Sequence, residues 1–146
     1  MRRVQRSKDK EELVKGLTSG ETPLFREIWR LLLFAAALGY KTGRREPLGE
    51  VDAGRAMPQS YFTNNPAWPG FQHLLALVCT EDAQILGGGD ENDDLRLTVF
   101  EEFANGGLSI LQEVMEQSSY SLDALIHLVA QHTTEKPVPS LAKIEI

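Results

Sequence analysis

Phe100 to Leu111 reads FEEFANGGLSIL, and this stretch decides the fold that the sequence predicts. Its apolar residues recur at steps of three and four and continue to Met115, which is the spacing of one face of an α-helix. Gly106 and Gly107 interrupt that face, although each glycine costs about 1 kcal/mol relative to alanine inside a helix. Either another backbone passes close over the two glycines, or one helix ends at Gly106 and a second begins at Leu108.

Length and composition bound the class of protein. The chain has 146 residues, of which 42% are hydrophobic and 25% are charged, and these values predict one globular domain that needs neither metal nor disulfides. Cys79 is the only cysteine, which excludes an internal disulfide and fits a reducing compartment. The N-terminus is charged, and the longest apolar run, Leu31 to Leu38, is far shorter than the roughly 20 residues of a membrane helix. We therefore expect a cytoplasmic protein.

Charge is distributed unevenly along the chain. Residues 1–55 carry 12 Lys or Arg against 8 Asp or Glu, a net +4, whereas residues 56–146 carry 3 against 13, a net −10. This asymmetry predicts one basic and one acidic surface. An acidic surface repels phosphate, so a protein that coats DNA is disfavoured, whereas a local basic contact with DNA is not.

The hydrophobic pattern predicts an all-α fold: a single compact domain over residues 1–146, with four to five helices around a buried central helix. Pro23 marks a helix start. The residues from Leu31 to Leu38 are apolar on every side and therefore predict burial on every side. We expect this central helix to run from Leu24 to Leu38 and to end at Gly39.

Shorter helices are expected around the central one. Their predicted bounds are Ser7–Leu17, Pro69–Ala83 and Leu122–His132. The helix that begins at Pro69 is expected to face the core with Phe71, Leu74, Leu75, Val78 and Cys79. The residues expected to anchor the irregular segment before it are Tyr61, Phe62 and Trp68. We expect the basic arm, 1–7, and the tail, 133–146, to be loosely ordered.

A calcium loop is one alternative for the acidic segment near residue 90. Asp90, Asn92, Asp94 and Glu101 match positions 1, 3, 5 and 12 of such a loop. The position that needs glycine for a sharp turn holds Leu95, and carboxylates are also favoured at the positive end of a helix dipole. We therefore interpret this segment as a helix start, and we expect no metal and no other cofactor.

Glu101 and Glu102 are the carboxylates best suited to acid–base catalysis. Adjacent residues on a helix point about 100° apart, so these two do not face each other. An enzyme would need a polar pocket around Glu101, Glu102 and Arg45. The simpler interpretation is surface glutamates or partners of Arg44 or Arg45. The histidines and Cys79 show no spacing typical of a zinc or nucleophile site, so we expect no catalytic residues.

Two sets of residues are candidates for contact with partners. The basic set would contact DNA or an acidic partner and comprises Arg2, Arg3, Arg6, Lys41, Arg44 and Arg45. Its alternative interpretation is a solvated arm together with cations that complement the C-terminal dipole of the central helix. The second set would face a protein partner and comprises Asp90, Asp93, Asp94, Glu101, Glu102 and Asn105.

Three blocks of the sequence resemble one family of small bacterial proteins. The blocks are Phe34–Tyr40 (FAAALGY), Gly43–Leu48 (GRREPL) and Phe100–Leu108 (FEEFANGGL), and together they resemble the DNA phosphorothioation (Dnd) system-associated protein 4 family. The resemblance implies a bacterial defence context beside phosphorothioation modification and restriction genes, and it supplies no catalytic residues. The function it implies is a non-catalytic accessory protein that contacts restriction or modification proteins. The alternative hypothesis is a small DNA-binding regulator that uses the basic arm and the 41–45 loop.

Overall fold

A computed structural model describes residues 2–64, 66–117 and 120–133. Within these ranges the chain forms five α-helices: α1 (Glu11–Thr18), α2 (Ile28–Thr42), α3 (Trp68–Thr80), α4 (Asp90–Gln117) and α5 (Leu122–Thr133). Short 3₁₀ turns lie at Lys8–Lys10, Ala53–Arg55, Gln59–Asn64 and Ala83–Leu86. The described chain contains no strand, only two isolated antiparallel bridges. The predicted all-α, single-domain fold is confirmed.

The stretch from Phe100 to Leu111 lies inside one unbroken helix, α4, which has 28 residues. A Cβ on Gly107 would overlap the carbonyl oxygen of Ala35 and lie 2.9 Å from its Cα. A Cβ on Gly106 would overlap the carbonyl oxygen of Arg44. Of the two explanations for the glycines, the close approach of another backbone is therefore the one that holds.

α2 packs along α4 in the opposite direction, because Ala35 lies over Gly107 and Gly39 lies over Phe103. It is the buried central helix, and the residues it contributes to the core include Leu31, Leu32, Ala35 and Ala36. Its predicted bounds, Leu24 and Leu38, were wrong at both ends, since α2 spans Ile28–Thr42.

The physical reason lies in tertiary contacts. The segment before α2 turns back onto α1, where the Phe25 amide donates to the Leu17 carbonyl at 3.0 Å, so the helix begins only at Ile28. Gly39 lies inside α2 and does not end it. Glycine is required there because a Cβ would overlap the Phe103 carbonyl oxygen of α4. α2 continues instead to a left-handed cap at Gly43, with φ 72°.

The aromatic core is centred on Phe100. Its ring meets those of Phe62, Trp68 and Phe71 edge-on, with centroids 4.9 to 6.1 Å apart. Phe62 and Trp68 are buried as predicted, whereas Tyr61 is exposed and does not anchor its segment in the core.

The predicted inward face of α3 is correct in part: Leu75 is buried, and Phe71 and Cys79 pack partly buried against the core. The residues that α3 buries are Trp68, Gln72, Leu75 and Ala76. Leu74 and Val78, which were predicted to face inward, are exposed. Trp68 sets this rotation because it stacks on Phe62, with centroids 4.5 Å apart, and meets Phe100 edge-on.

The N-terminal segment is docked on the domain from Arg2 onwards, in contrast to the loosely ordered arm that the sequence suggested. Val4 is buried and exchanges two backbone hydrogen bonds of 2.8 Å with Met57. A buried apolar side chain and paired backbone groups hold this segment on the domain, which a run of charged side chains alone would not do. Residues 134–146 of the predicted tail lie outside the residues that the structure describes. No helix in the described ranges combines the length and apolar composition needed to cross a bilayer.

Candidate functional site

Cations and carboxylates that the sequence assigned to two different partners instead pair within the chain. Arg2 bonds Glu101 at 2.6 Å, and Arg45 bonds Glu102 at 2.8 Å. Two more arginines of the basic set are also paired: Arg6 with Glu11 at 2.5 Å, and Arg44 with Glu46 at 2.5 Å and Glu113 at 2.8 Å. Four of the six predicted basic contact residues therefore already hold carboxylates.

The other two basic candidates lie on the surface. Arg3 is exposed and donates to the Ala56 carbonyl at 3.3 Å. Lys41 is exposed and has no ionic or hydrogen-bonding partner for its side chain among the described residues. Two separated cations do not form the continuous basic stripe that is typical of DNA-binding surfaces.

Glu101 is a buried structural carboxylate, only 3% exposed. It accepts hydrogen bonds from the Arg2 guanidinium and from the Gln5 backbone amide, each at 2.6 Å, and so fastens the N-terminal segment onto α4. Burial raises the pKa of Glu101 above its ordinary value and outweighs the opposing effects of Gln5 and Arg2. The gap beside it is too tight to admit water, so it offers no room for a substrate.

A pH-dependent stability difference should follow from this burial. Because the pKa of Glu101 is raised on folding, its contribution to stability is largest at acid pH and falls as the pH rises from the ordinary carboxyl pKa through the raised one. The neutral Glu101→Gln variant lacks this loss. We expect its free energy of unfolding to gain on that of the wild type as the pH rises from about 4 to 7. Urea unfolding at several pH values measures both free energies. If the free energy of unfolding of Glu101→Gln stayed constant or fell relative to that of the wild type as the pH rises, the assignment would be contradicted.

Asn105 fixes the loop that follows α2 against α4. It is 4% exposed, and its amide nitrogen donates to the carbonyls of Glu46 at 3.3 Å and Pro47 at 3.2 Å. The Glu46 side chain accepts from Ser109 at 2.7 Å and from Arg44. Burial favours a higher pKa for Glu46, but the bonds from Ser109 and Arg44 outweigh it and lower the pKa. Asn105 therefore has a structural role and offers no surface to a partner.

The exposed part of the predicted protein-contact set lies at the start of α4. Asp90 and Asp94 are exposed, Asp93 is half-buried, and Glu102 is half-buried beside Arg45. Three more exposed carboxylates that the prediction left out belong to the same segment: Glu81, Asp82 and Glu91. The sequence shows these five exposed carboxylates within fifteen positions. Whether they share one surface depends on how the chain turns between α3 and α4.

Arg96 brings that segment together. It is buried, and one nitrogen of its guanidinium donates to the carbonyls of Ile85 at 2.7 Å and Gly87 at 2.9 Å. These two carbonyls flank Leu86, which is 42% exposed, and Arg96 directly follows Leu95, which is 49% exposed. We call this surface the acidic end: Leu86 and Leu95 with Glu81, Asp82, Asp90, Glu91 and Asp94. The side chains of Glu81, Asp90 and Glu91 have no partner within the described ranges.

The structure provides neither of the other two sites weighed from the sequence. α4 begins at Asp90, so Asp90 and Glu101 are separated by about 16 Å of straight helix and not by a calcium loop. No group of three or more His, Cys, Asp or Glu side chains in the described chain is placed to hold a metal ion. Glu101 turns towards Arg2 and Glu102 towards Arg45, so the polar pocket that an enzyme would need around Glu101, Glu102 and Arg45 is not formed.

Comparison with known proteins gives a match to a protein family. The model of a family described as DNA sulphur modification system-associated protein 4 matches residues 3–143. Neither the curated proteins nor the solved structures give a significant match. The matched range includes the N-terminal segment, the loop after α2 and the whole of α4.

Proposed function

The chain belongs to the DNA sulphur modification system-associated protein 4 family, and from this premise we propose that it is a non-catalytic accessory protein. It contacts a basic restriction or modification protein of the same system through the acidic end. The observation that carries the proposal is the pair of exposed leucines, Leu86 and Leu95, in a segment where three exposed carboxylates have no partner in the described chain.

Apolar side chains within a charged rim suit protein recognition. Interfaces are driven by a desolvated apolar centre, and the charged rim speeds association and selects the partner. The rim here carries five carboxylates, of which Asp94 pairs with Arg2 at 3.8 Å, and the one arginine of the segment, Arg96, is buried beneath it. A partner surface with exposed Lys and Arg around an apolar patch is the complement.

Rigidity also supports this function. Arg96 joins the turn at Ala83–Leu86 to α4 through two hydrogen bonds, and Ile85 is buried beneath the same turn. A surface that is already ordered loses little conformational entropy when it binds.

The non-catalytic part of the proposal rests on the glutamates. Glu101, the carboxylate with a raised pKa, is enclosed by the N-terminal segment and bonded to Arg2. A perturbed pKa marks a catalytic candidate only where a reacting group can approach. The tight gap beside Glu101 supports a structural role.

The DNA-binding alternative has less support, since four of its six cations pair with carboxylates of the same chain. The net charge of −6 opposes it further. If phosphate contacts were made by six cations, affinity for DNA would fall by about 10³ or more between 50 and 200 mM salt.

Capture of the tagged protein from a host that carries the modification and restriction genes tests the function. The lysate is treated with nuclease before washing. We expect stoichiometric recovery of a protein subunit of the system that persists after the nuclease treatment. Recovery only of DNA that disappears with nuclease would contradict protein contact and support the alternative.

A further inference from the structure

A second surface lies at the start of α2, in a groove of about 700 Å³. The apolar residues that line it include Pro23, Phe25, Trp29, Leu33 and Pro66. Pro23 and Leu24 also line an adjoining depression with Tyr120 and Leu122, both of which are exposed. The apolar surface thus extends beyond the groove. We call the part lined by residues 23–33 and Pro66 the arginine groove.

Two guanidinium groups lie along the arginine groove. Arg26 is exposed, and its side chain has no partner among the residues that the structure describes. The guanidinium carbon of Arg30 lies 4.9 Å from the Trp29 ring centroid, and Arg30 makes a 3.3 Å bond to Glu27. Arg30 is therefore positioned on an aromatic ring. Its bond to Glu27 is exposed on both sides and weak, so an incoming carboxylate can replace it, and Arg26 is free to bind. A pair of guanidinium groups suits carboxylates, which they can bind through two hydrogen bonds each.

The arginine groove and the acidic end are at opposite ends of the molecule. α2 is antiparallel to α4, so its start lies towards the C-terminal end of α4, where Tyr120 and Leu122 border Pro23. The acidic end includes the first turn of α4. A helix of 28 residues is about 40 Å long. Two partners could therefore occupy both surfaces at once.

We propose that the arginine groove binds an extended acidic segment of a second protein, in which carboxylates alternate with aliphatic or proline residues. The carboxylates bind Arg26 and Arg30, and the apolar residues fill the space between Pro23, Leu33 and Pro66. Extended segments that contain proline commonly dock in grooves lined by aromatic residues. With a basic partner at the acidic end, the chain would bridge two proteins of opposite surface charge.

Nucleic acid fits the arginine groove less well. Single strands bind by stacking their bases on open aromatic faces. The Trp29 ring is covered by Arg30, and Phe25 packs on Phe34 with centroids 5.5 Å apart, so neither offers an open face. The net charge of −6 also repels a long polyanion more than a short peptide.

A short fluorescent peptide that alternates aspartate with leucine and proline is the probe, and fluorescence anisotropy measures its binding to the whole chain. We expect saturable binding. The Arg26→Glu/Arg30→Glu variant should lose about tenfold or more in affinity, because bonds to charged groups are each worth a factor of about ten. The milder Arg26→Gln variant removes one exposed side chain and should lose several-fold while remaining folded by circular dichroism.

Matched controls separate the effect of the groove residues on affinity from the effect of net charge. Lys8→Glu/Lys41→Glu makes the same change in charge at two exposed lysines near the other end of α2 and should leave affinity within about twofold, since distant surface charges are screened. The same peptide with lysine in place of aspartate should not bind. Absent binding of the acidic peptide, equal loss in the lysine control, or tighter binding of a single-stranded oligonucleotide would overturn the proposal. None of these residues belongs to the acidic end, so the outcome is independent of the proposed function.

Discussion

The Gly107→Ala variant should lose about 3 kcal/mol of stability, the upper end of the usual cost of overpacking. The added methyl group would overlap the Ala35 carbonyl oxygen, which belongs to the backbone of α2 and cannot rotate away as a side chain could. α2 and α4 would have to move apart, and the close packing of both helices would be lost along with the contact. The measurement is the free energy of unfolding from urea titration, followed by circular dichroism.

Gly70→Ala is the matched control for this prediction. Gly70 lies in the first turn of α3, and a Cβ there meets nothing within 4 Å. The substitution should stabilise the protein by about 0.4–1 kcal/mol, because alanine restricts the unfolded chain. If Gly107→Ala were as stable as Gly70→Ala, the close approach of α2 to α4 would be wrong.

Phe100→Ala should cost about 3–5 kcal/mol, the range for truncating a fully buried phenylalanine. The Phe100 side chain is fully buried, and its ring contacts those of Phe62, Trp68 and Phe71. Removal would leave a cavity among three aromatic rings. A loss of this size is a large fraction of the 5–15 kcal/mol typical of a whole domain.

Tyr61→Ala removes a neighbouring aromatic ring that is exposed. It should change stability by less than about 1 kcal/mol, as surface substitutions usually do. Both variants are compared with the wild type by the midpoint and slope of urea unfolding. Equal losses for the two would contradict the position of Phe100 at the centre of the aromatic core.

The predictable part of the fold is the part governed by local pattern. The spacing of apolar residues around Phe100 predicted a helix there, and the acidic residues at Asp90 predicted a helix start, as α4 has them, because helix periodicity and charge at the helix start are local signals. Whether the two glycines divide the segment into two helices stayed open. Gly39 was misassigned because a glycine that ends a helix and one that admits a neighbouring backbone have the same sequence signature. Only the position of α4 against α2 separates the two.

Two of the five residues predicted to face inward from α3 were wrong for a similar reason. Leu74 and Val78 are as apolar as Leu75, and periodicity alone did not show which of them faces the core. The stacking of Trp68 on Phe62 fixes the rotation of the helix and leaves Leu74 60% exposed. A prediction that started from the largest aromatic residue, and not from the longest apolar run, would have chosen the correct face.

For the site, the sequence identified the charged residues and offered Arg45 as a partner of the glutamates, which its bond to Glu102 confirms, but it missed the pair of Arg2 with Glu101. Arg2 and Glu101 are 99 positions apart, and Arg45 and Glu102 are 57 apart. Ion pairs between residues so distant depend on the tertiary fold, so a cation that the sequence suggests for DNA contact can bind a carboxylate of its own chain. The acidic end was identified in part, through Asp90 and Asp94, because its residues are close along the chain.

Charge reversal at the acidic end is the most direct test of protein contact. The variant Glu81→Lys/Asp90→Lys/Glu91→Lys changes three exposed carboxylates without partners in the described chain. Glu12→Lys/Glu21→Lys/Glu116→Lys makes the same change in net charge at exposed positions elsewhere. Both proteins are captured from the host that carries the modification and restriction genes, after nuclease treatment and at equal expression. We predict that the acidic-end variant recovers about tenfold less of the partner subunit, because reversed charges repel a basic surface, and that the control recovers as much as the wild type. Equal recovery by the acidic-end variant and the wild type would contradict the account.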